Sequence, residues 1–410
     1  MSVNVLRFLD KFIGIPLCFL LTVYRKVTCL FKYHPSNDPQ KFLFIKLSEM
    51  GSTVFLYPTI SELYQLYPKA EIFFIVFKNN KDILDELNFT QDSNIYTVNT
   101  DSIFKIIVSG FHIVKTLRKK SIDTCFDMDF FSRLSSVLAF LICKGNRVGF
   151  HCFNNEGLFR GNLLTHRVMY SPHIHTSAAF FSLLKASLDK NANKDLYYKG
   201  FIDVSQFKLP DYMPSKMSLY AIKQKLKIQG LDVDNYKGQV VIVNPNASEI
   251  IPLRKWPLEN FIHFCTSLLK KRSRLTIVLI GSSCEQKDAI HIQNCVNSKR
   301  CINLVGQTSI KELLALYTIA DMMLSTDSGP AHFASLTKLP EIVLFGPETP
   351  QLFKPLGHEC KCLYANFACS PCVSVFNAKK SPCRDNLCLK AISVERVLTE
   401  SLNTLGIIEK

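Results

Sequence analysis

The residue types best suited to chemistry gather in a few short polar clusters. These are Asn244-Pro245-Asn246-Ala247-Ser248, Arg254-Lys255-Trp256-Pro257, Gly281-Ser282-Ser283 with Glu285, Gly306-Gln307-Thr308 and Thr326-Asp327-Ser328-Gly329-Pro330. All but the Arg254 cluster close an apolar run with the length and β-branched content of a buried parallel strand; Arg254 follows in a loop just before a helix. The last cluster says most. Between MMLS and EIVLFG, Asp327-Ser328-Gly329 opens a predicted helix, Ala331 to Leu336, with His332 one turn in. A strand that ends at a helix start presents unpaired N–H groups and a positive dipole end, which suits a phosphate. Gly329 permits close backbone approach. Alone, Asp327 or Ser328 reads as a helix cap, and His332 as a partly buried core histidine. Successive polar stations along one edge of a parallel sheet describe a nucleotide crevice instead. There Arg254 suits charge on a departing nucleotide, and Glu285 suits ribose hydroxyls.

The same pattern excludes other nucleotide chemistries. No Gly-x-x-x-x-Gly-Lys and no Gly-x-Gly-x-x-Gly after a strand occurs, which disfavours ATPase and NAD-enzyme readings. Earlier in the chain, Lys41 to Ser48 reads as a strand running into the tight turn Glu49-Met50-Gly51-Ser52. Strands are also predicted at Glu71–Phe77, Asn94–Asn99 and Ile122–Asp129. Glu49, Asp127 and Asp129 are then carboxylates at strand ends and candidates for a general base. Phe150 to Ser171, rich in His, Asn and Arg, is predicted to be a long recognition loop. Late in the chain stand Cys369-x-x-Cys372, Cys383 and Cys388. Such a cluster suits a structural zinc, and equally a set of reduced thiols or disulfides.

The elements that must position these residues form two α/β units. With 410 residues the length suits two domains, and strands alternate with helical patterns through most of it. The second unit is predicted from strand Gln239–Asn246 through helices Leu258–Lys271, Glu285–Val296 and Ile310–Tyr317. Expected boundaries are 1–34 for a membrane-associating segment, 35–215 for the first domain and 216–410 for the second. Two such domains place a cleft between them. The formal net charge of +15 invites nucleic acid, an anionic membrane or an acidic substrate. Scattered basic residues without a nucleic-acid module make the first the weakest. Most of the 15 cysteines lie in apolar runs, as buried free thiols do, which favours a reducing compartment.

The first residues need separate treatment. Phe12 to Tyr24 is strongly apolar but too short to span a bilayer, and Arg7, Lys11, Arg25, Lys26 and Lys32 flank it. A helix lying in the interface of an anionic membrane fits; so does a helix docked on the first domain's core.

Taken together, KLSEMGSTVFLYP, NPNASEIIPLRKWPLENF, LVGQTSIKELLALYTIAD, STDSGPAHFAS, VLFGPETP and the late CSPC resemble glycosyltransferase family 9, the lipopolysaccharide heptosyltransferases and relatives. The resemblance implies the GT-B fold, two Rossmann-like domains with the sugar nucleotide held mainly by the C-terminal one. It implies an inverting transfer that needs no cofactor, from an ADP-sugar such as ADP-heptose to a lipopolysaccharide core or related glycolipid. That acceptor places the protein on the cytoplasmic face of the inner membrane, peripherally. By resemblance Arg254, Glu285, Asp327, Ser328, Gly329 and His332 contact the donor, with Asn246, Ser248 and Thr308 beside them. One departure stands out. The family commonly carries Asp directly after the glycine of the first loop, as base; here that position is Ser52. Glu49 is the expected substitute, then Asp127 or Asp129. Ser52 also admits a nucleotide-sugar-binding protein with impaired catalysis, and the scaffold admits a nucleotide-sugar epimerase or hydrolase.

Overall fold

Apolar runs such as KFLFI and EIFFIVF leave neither face for water, and they become inner strands of parallel sheets. The computed structural model describes residues 1, 3–28, 36, 38–151, 159–188, 194–196, 198–246, 251–357 and 359–406. These divide into two units, Met1–Phe207 and Lys208–Lys410.

In the first unit the order is α1 (Val3–Phe12), α2 (Gly14–Thr28), β1 (Lys41–Ile45), a 3₁₀ turn at Met50–Leu56, α3 (Tyr57–Leu66), β2 (Glu71–Phe77), α4 (Lys81–Leu87) and β3 (Ile95–Val98). It continues with α5 (Ile103–Lys120), β4 (Thr124–Asp127), α6 (Arg133–Ile142), β5 (Asn146–His151), β6 (His166–Met169), α7 (Thr176–Ser187) and β7 (Lys194–Leu196). The seven strands are parallel, in the order β3-β2-β1-β4-β5-β6-β7. Strand direction of growth reverses between β1 and β4, so their carboxyl ends mark the switch point. Stacked Phe44–Phe74 and Phe44–Phe126 rings hold the centre of this sheet.

The second unit runs α8 (Lys216–Ile228), β8 (Gln239–Asn244), α9 (Leu258–Lys271), β9 (Leu275–Leu279), α10 (Gln286–Val296), β10 (Cys301–Asn303) and α11 (Ile310–Tyr317). Then follow β11 (Met322–Thr326), α12 (Gly329–Ala334), β12 (Glu341–Phe345), α13 (Pro350–Phe353), β13 (Cys360–Tyr364), α14 (Leu387–Lys390) and α15 (Val394–Thr404). Its six strands are parallel too, ordered β10-β9-β8-β11-β12-β13, with the switch point between β8 and β11. Both units are thus Rossmann-like, as the GT-B resemblance implies.

One reading of the sequence needs correction. The stretch Phe150 to Ser171 is not one long loop: it contains the end of β5 and all of β6, whose His166 and Val168 are buried. The polar His166 and Arg167 hid a strand whose pairing to β5 is regular, Val148 opposite His166 and Phe150 opposite Val168. Residues 152–158 of that stretch lie outside the described residues. The first two helices, moreover, are built into the first unit by one face. Asp10 Oδ1 accepts hydrogen bonds from Arg133 N at 2.9 Å and Leu134 N at 3.0 Å, capping α6. Cys18 is buried with Val137, Phe140 and Leu163. Core docking and an outward apolar face therefore coexist in one helix pair. Among the described residues no helix is long and apolar enough to cross a membrane.

Candidate functional site

The switch point of the second unit concentrates buried polar side chains. Parallel pairing sets Ser325 opposite Asn244, and Asn244 Nδ2 donates to Ser325 Oγ at 3.0 Å and to Ser328 Oγ at 2.8 Å. Ser328 caps α12 by position, but its hydroxyl is turned back toward Thr326 O, at 3.1 Å, and not onto the helix. Gly329 opens that helix outside the left-handed region, so its need for glycine does not come from backbone angle. Thr326 Oγ1 donates to Asn246 O at 2.7 Å, fixing the loop after β8. The Asn246 side chain is only 2 % exposed. Among the described residues neither of its amide atoms has a hydrogen-bond partner. A buried amide left this way costs free energy unless something polar meets it, which makes Asn246 a candidate ligand contact.

Arg254 lies across the same edge. Its Nε sits 3.3 Å from Asp327 Oδ2, its Nη2 3.2 Å from Glu348 Oε1, and its Nη1 donates to Asp327 O at 3.3 Å. Asp327 and Glu348 are both buried, so the guanidinium compensates two carboxylates in a poorly hydrated place. Glu348 escaped the sequence reading. Its signal was available, since Gly346-Pro347-Glu348 closes β12 as the other stations close theirs.

The loops that hold this pair are braced from elsewhere. Trp256 is buried edge-on to Phe261, and its indole donates to Ile392 O at 3.0 Å. Asn386 Nδ2 donates to Leu253 O at 3.1 Å and Lys255 O at 2.6 Å, clamping the 3₁₀ turn Pro252–Arg254. Cys372 N and Val373 N both donate to Pro347 O, at 3.0 and 3.1 Å. The cysteine-rich loop thereby supports the turn carrying Glu348.

The remaining sequence candidates fall as follows. Glu285 Oε2 accepts from Ser282 N at 2.7 Å and Ser282 Oγ at 2.8 Å, a capping box that already uses the carboxylate. It still adjoins Asn246 through Gly281, where a Cβ would meet Glu285 Oε2 at 2.8 Å and Asn246 Nδ2 at 3.0 Å. His332 is buried inside α12, and Thr308 is half-buried after β10. Ser248 lies outside the described residues.

In the first unit the three carboxylates separate sharply. Asp129 is buried and accepts from Leu47 N at 2.8 Å and Ser48 Oγ at 3.1 Å, with Lys46 Nζ at 3.5 Å. It ties the ends of β1 and β4 together. Asp127 is fully buried against Arg160 Nη1 at 2.8 Å and Ser136 Oγ at 3.2 Å. Burial pushes its carboxyl up from 3.8 to about 6, against the pull of Arg160. Glu49 alone is half-buried, in the loop that follows β1 after Ser48, with φ 63 and ψ 73. A left-handed glutamate is strained, and such strain gathers at functional turns. Its charge reaches Arg7, whose own acidity burial increases. Ser52 is buried and donates to Glu49 O at 2.9 Å.

The thirteen described cysteines are free thiols. Cys388 is buried, and desolvation foremost pushes its thiol up, with Cys372, Cys369 and Cys383 adding to the rise. Yet Cys372 Sγ accepts from Ser381 Oγ at 3.2 Å and Cys383 Sγ donates to Asp385 O at 3.0 Å. Among the described residues no group of three or more His, Cys, Asp or Glu is placed to hold a metal ion.

Known proteins bear on this arrangement. Lipooligosaccharide heptosyltransferase 2 of Campylobacter jejuni (serotype O:2) is 25 % identical over 224 residues, covering 53 % of this chain and 66 % of that protein. The chain thus matches just under two-thirds of that relative's length. The solved ADP-heptose LPS heptosyltransferase II of Escherichia coli shares the fold at TM-score 0.65 and 18 % identity, over 89 % of this chain and 98 % of that one. Escherichia coli heptosyltransferase WaaC, solved with ADP, shares it at TM-score 0.62 and 17 % identity, over 89 % and 99 %. The description "Glycosyltransferase family 9 (heptosyltransferase)" matches residues 111–381, well over half of the sequence, and the chain belongs to that family.

Proposed function

We propose that the protein is an inverting glycosyltransferase that moves a sugar, a heptose from ADP-heptose, onto a lipopolysaccharide core or related glycolipid. The observation that carries the donor half is the buried Asn246 amide, without a hydrogen-bond partner among the described residues, beside the Arg254–Asp327–Glu348 cluster at the switch point of the second unit. In this reading the diphosphate lies at the β11–α12 junction, and Asn246 bonds the nucleotide. Arg254 takes up charge as ADP departs; its carboxylate partners hold its planar fork in place. Support also comes from the ADP in the WaaC neighbour and the name of the Campylobacter relative.

For the acceptor half, Glu49 takes the proton from the nucleophilic hydroxyl while that oxygen bonds the anomeric carbon and ADP leaves from the opposite face. Asp127 and Asp129 are sealed among hydrogen-bond partners, and Asp129 holds Leu47 and Ser48 just ahead of Glu49. In this reading the basic first two helices rest on an anionic membrane, on the cytoplasmic face, where a lipid acceptor is reached.

The test is incubation with ADP-, GDP- and UDP-sugars and a lipid A-core acceptor, read by acceptor mass. A heptose mass gain with ADP-heptose alone supports the reading. Tight ADP binding without any gain would make the chain a nucleotide-sugar-binding protein.

A further inference from the structure

Helix α5 is apolar on two faces where a surface helix is apolar on one. Ile113 and Leu117 are buried with Leu43, Ile45 and Phe73, and Ile106 and Val114 pack beside them. That accounts for the inward face. On the outward side Phe104, Ile107, Val108 and Phe111 are 75, 62, 50 and 71 % exposed. They recur at i, i+3, i+4 and i+7, one continuous helical stripe. A contiguous apolar surface of this kind on a folded unit marks an interaction site.

Charge indicates what covers it. Helix α5 contains no acidic residue, its last turn holds Arg118, Lys119 and Lys120, and Lys105 and Lys115 are exposed along it. Helices α1 and α2 carry one carboxylate, Asp10, and it is used in capping α6. Their outward residues Phe8, Phe12, Phe19, Leu20 and Val27 are exposed as well. All three helices pack on α6. The Met1 ammonium donates to Thr100 O at 3.0 Å, just ahead of α5. Phenylalanine and isoleucine rimmed by lysine, with no carboxylate in α5 itself and Asp101 just ahead of it bridged by Lys105 at 2.9 Å, match an anionic bilayer. Acyl chains receive the rings while headgroup phosphates meet the ammonium groups.

We propose that the outward stripe of α5 is a second membrane contact, inserting into an anionic bilayer alongside α1 and α2. This rests on the membrane reading above and adds the part of the first unit that completes it. One weak anchor gives only marginal binding, and a second makes attachment stable.

The full chain is mixed with vesicles of phosphatidylglycerol and phosphatidylethanolamine, and separately with phosphatidylcholine alone. A quadruple variant, Phe104→Ser, Ile107→Ser, Val108→Ser and Phe111→Ser, is compared after circular dichroism and melting confirm its fold. Partition into the anionic vesicles is expected to fall about tenfold or more. In a separate Ile107→Trp variant the introduced indole is expected to be quenched by brominated acyl chains, while buried Trp256 is not. Undiminished partition of the quadruple variant, with the introduced indole unquenched, overturns the α5 contact and leaves the membrane reading standing. No binding of the unmodified chain to anionic vesicles overturns both. A dimer that the quadruple variant abolishes, with vesicle binding unchanged, overturns it in favour of a second copy.

Discussion

On the proposed reading, single residues divide into those that face the nucleotide sugar and those that hold the loops. Arg254 would do both, and its variants separate the roles. Arg254→Ala leaves Asp327 and Glu348 as buried carboxylates without their cation, so a stability loss of about 3 kcal/mol is expected by denaturant titration. Adding Glu348→Gln to Arg254→Met is expected to restore much of that stability without restoring ADP binding. Recovery of both would reduce Arg254 to a structural ion-pair partner. Glu49→Gln keeps size and hydrogen bonding and is expected to lower turnover ~10²-fold with donor affinity nearly unchanged. An active Glu49→Gln beside an inactive Asp127→Asn would move the base to β4. Asp127 also makes a pH prediction. Because its folded-state carboxyl is raised from 3.8 to about 6, protonation favours the fold. Its contribution is fully present below 3.8 and is lost as pH rises through about 6. Relative to Asp127→Asn, the unmodified chain should lose stability across that window; parallel denaturant midpoints for the two at both ends would contradict it.

Among elements, the helix pair α1–α2 has the sharpest consequence. Its Asp10 cap and the Cys18 contact make it part of the first unit, so removing the first ~32 residues strips the N-terminus of α6 and exposes Val137 and Phe140. Such a truncation is expected to lower the melting temperature of the first unit as well as weaken membrane attachment. Asp10→Ala removes the acceptor for Arg133 N and Leu134 N while Ser132 still caps α6, and is expected to cost about 1 kcal/mol, measured by thermal denaturation. An unchanged melting temperature in both would return the pair to a separate appendage. In the second unit, Asn386 and the Cys372 backbone brace the turns bearing Arg254 and Glu348. The cysteine-rich loop thus has a mechanical role in supporting the ion-pair cluster, whatever its thiols do.

For the whole molecule, the parallel sheets were legible because their strands are apolar on both faces. Leu258–Lys271 and Ile310–Tyr317 appear with the bounds expected from periodicity. The switch-point stations were legible too, since polar residues closing buried strands stand out. What escaped was set by tertiary context. The strands β6 and β13 carry His166, Arg167 and Lys361 and lack an apolar run, and pairing alone makes them strands. Glu348 closes β12 as the other stations close their strands, but its pairing to Arg254, far off in sequence, is set by tertiary context. The outward stripe of α5 was masked by its inward one, for a run apolar on both faces has no clean period. The central claim is that the second unit holds an adenosine diphosphate at Asn246, Arg254 and Asp327. It is tested most directly by calorimetric titration of ADP, GDP and UDP into the unmodified chain and Asn246→Ala. The account expects ADP to bind best and the variant to bind it about tenfold more weakly, the value of one or two lost hydrogen bonds, at an unchanged melting temperature. Equal ADP affinity in the two proteins, or a preference for GDP or UDP, would contradict it.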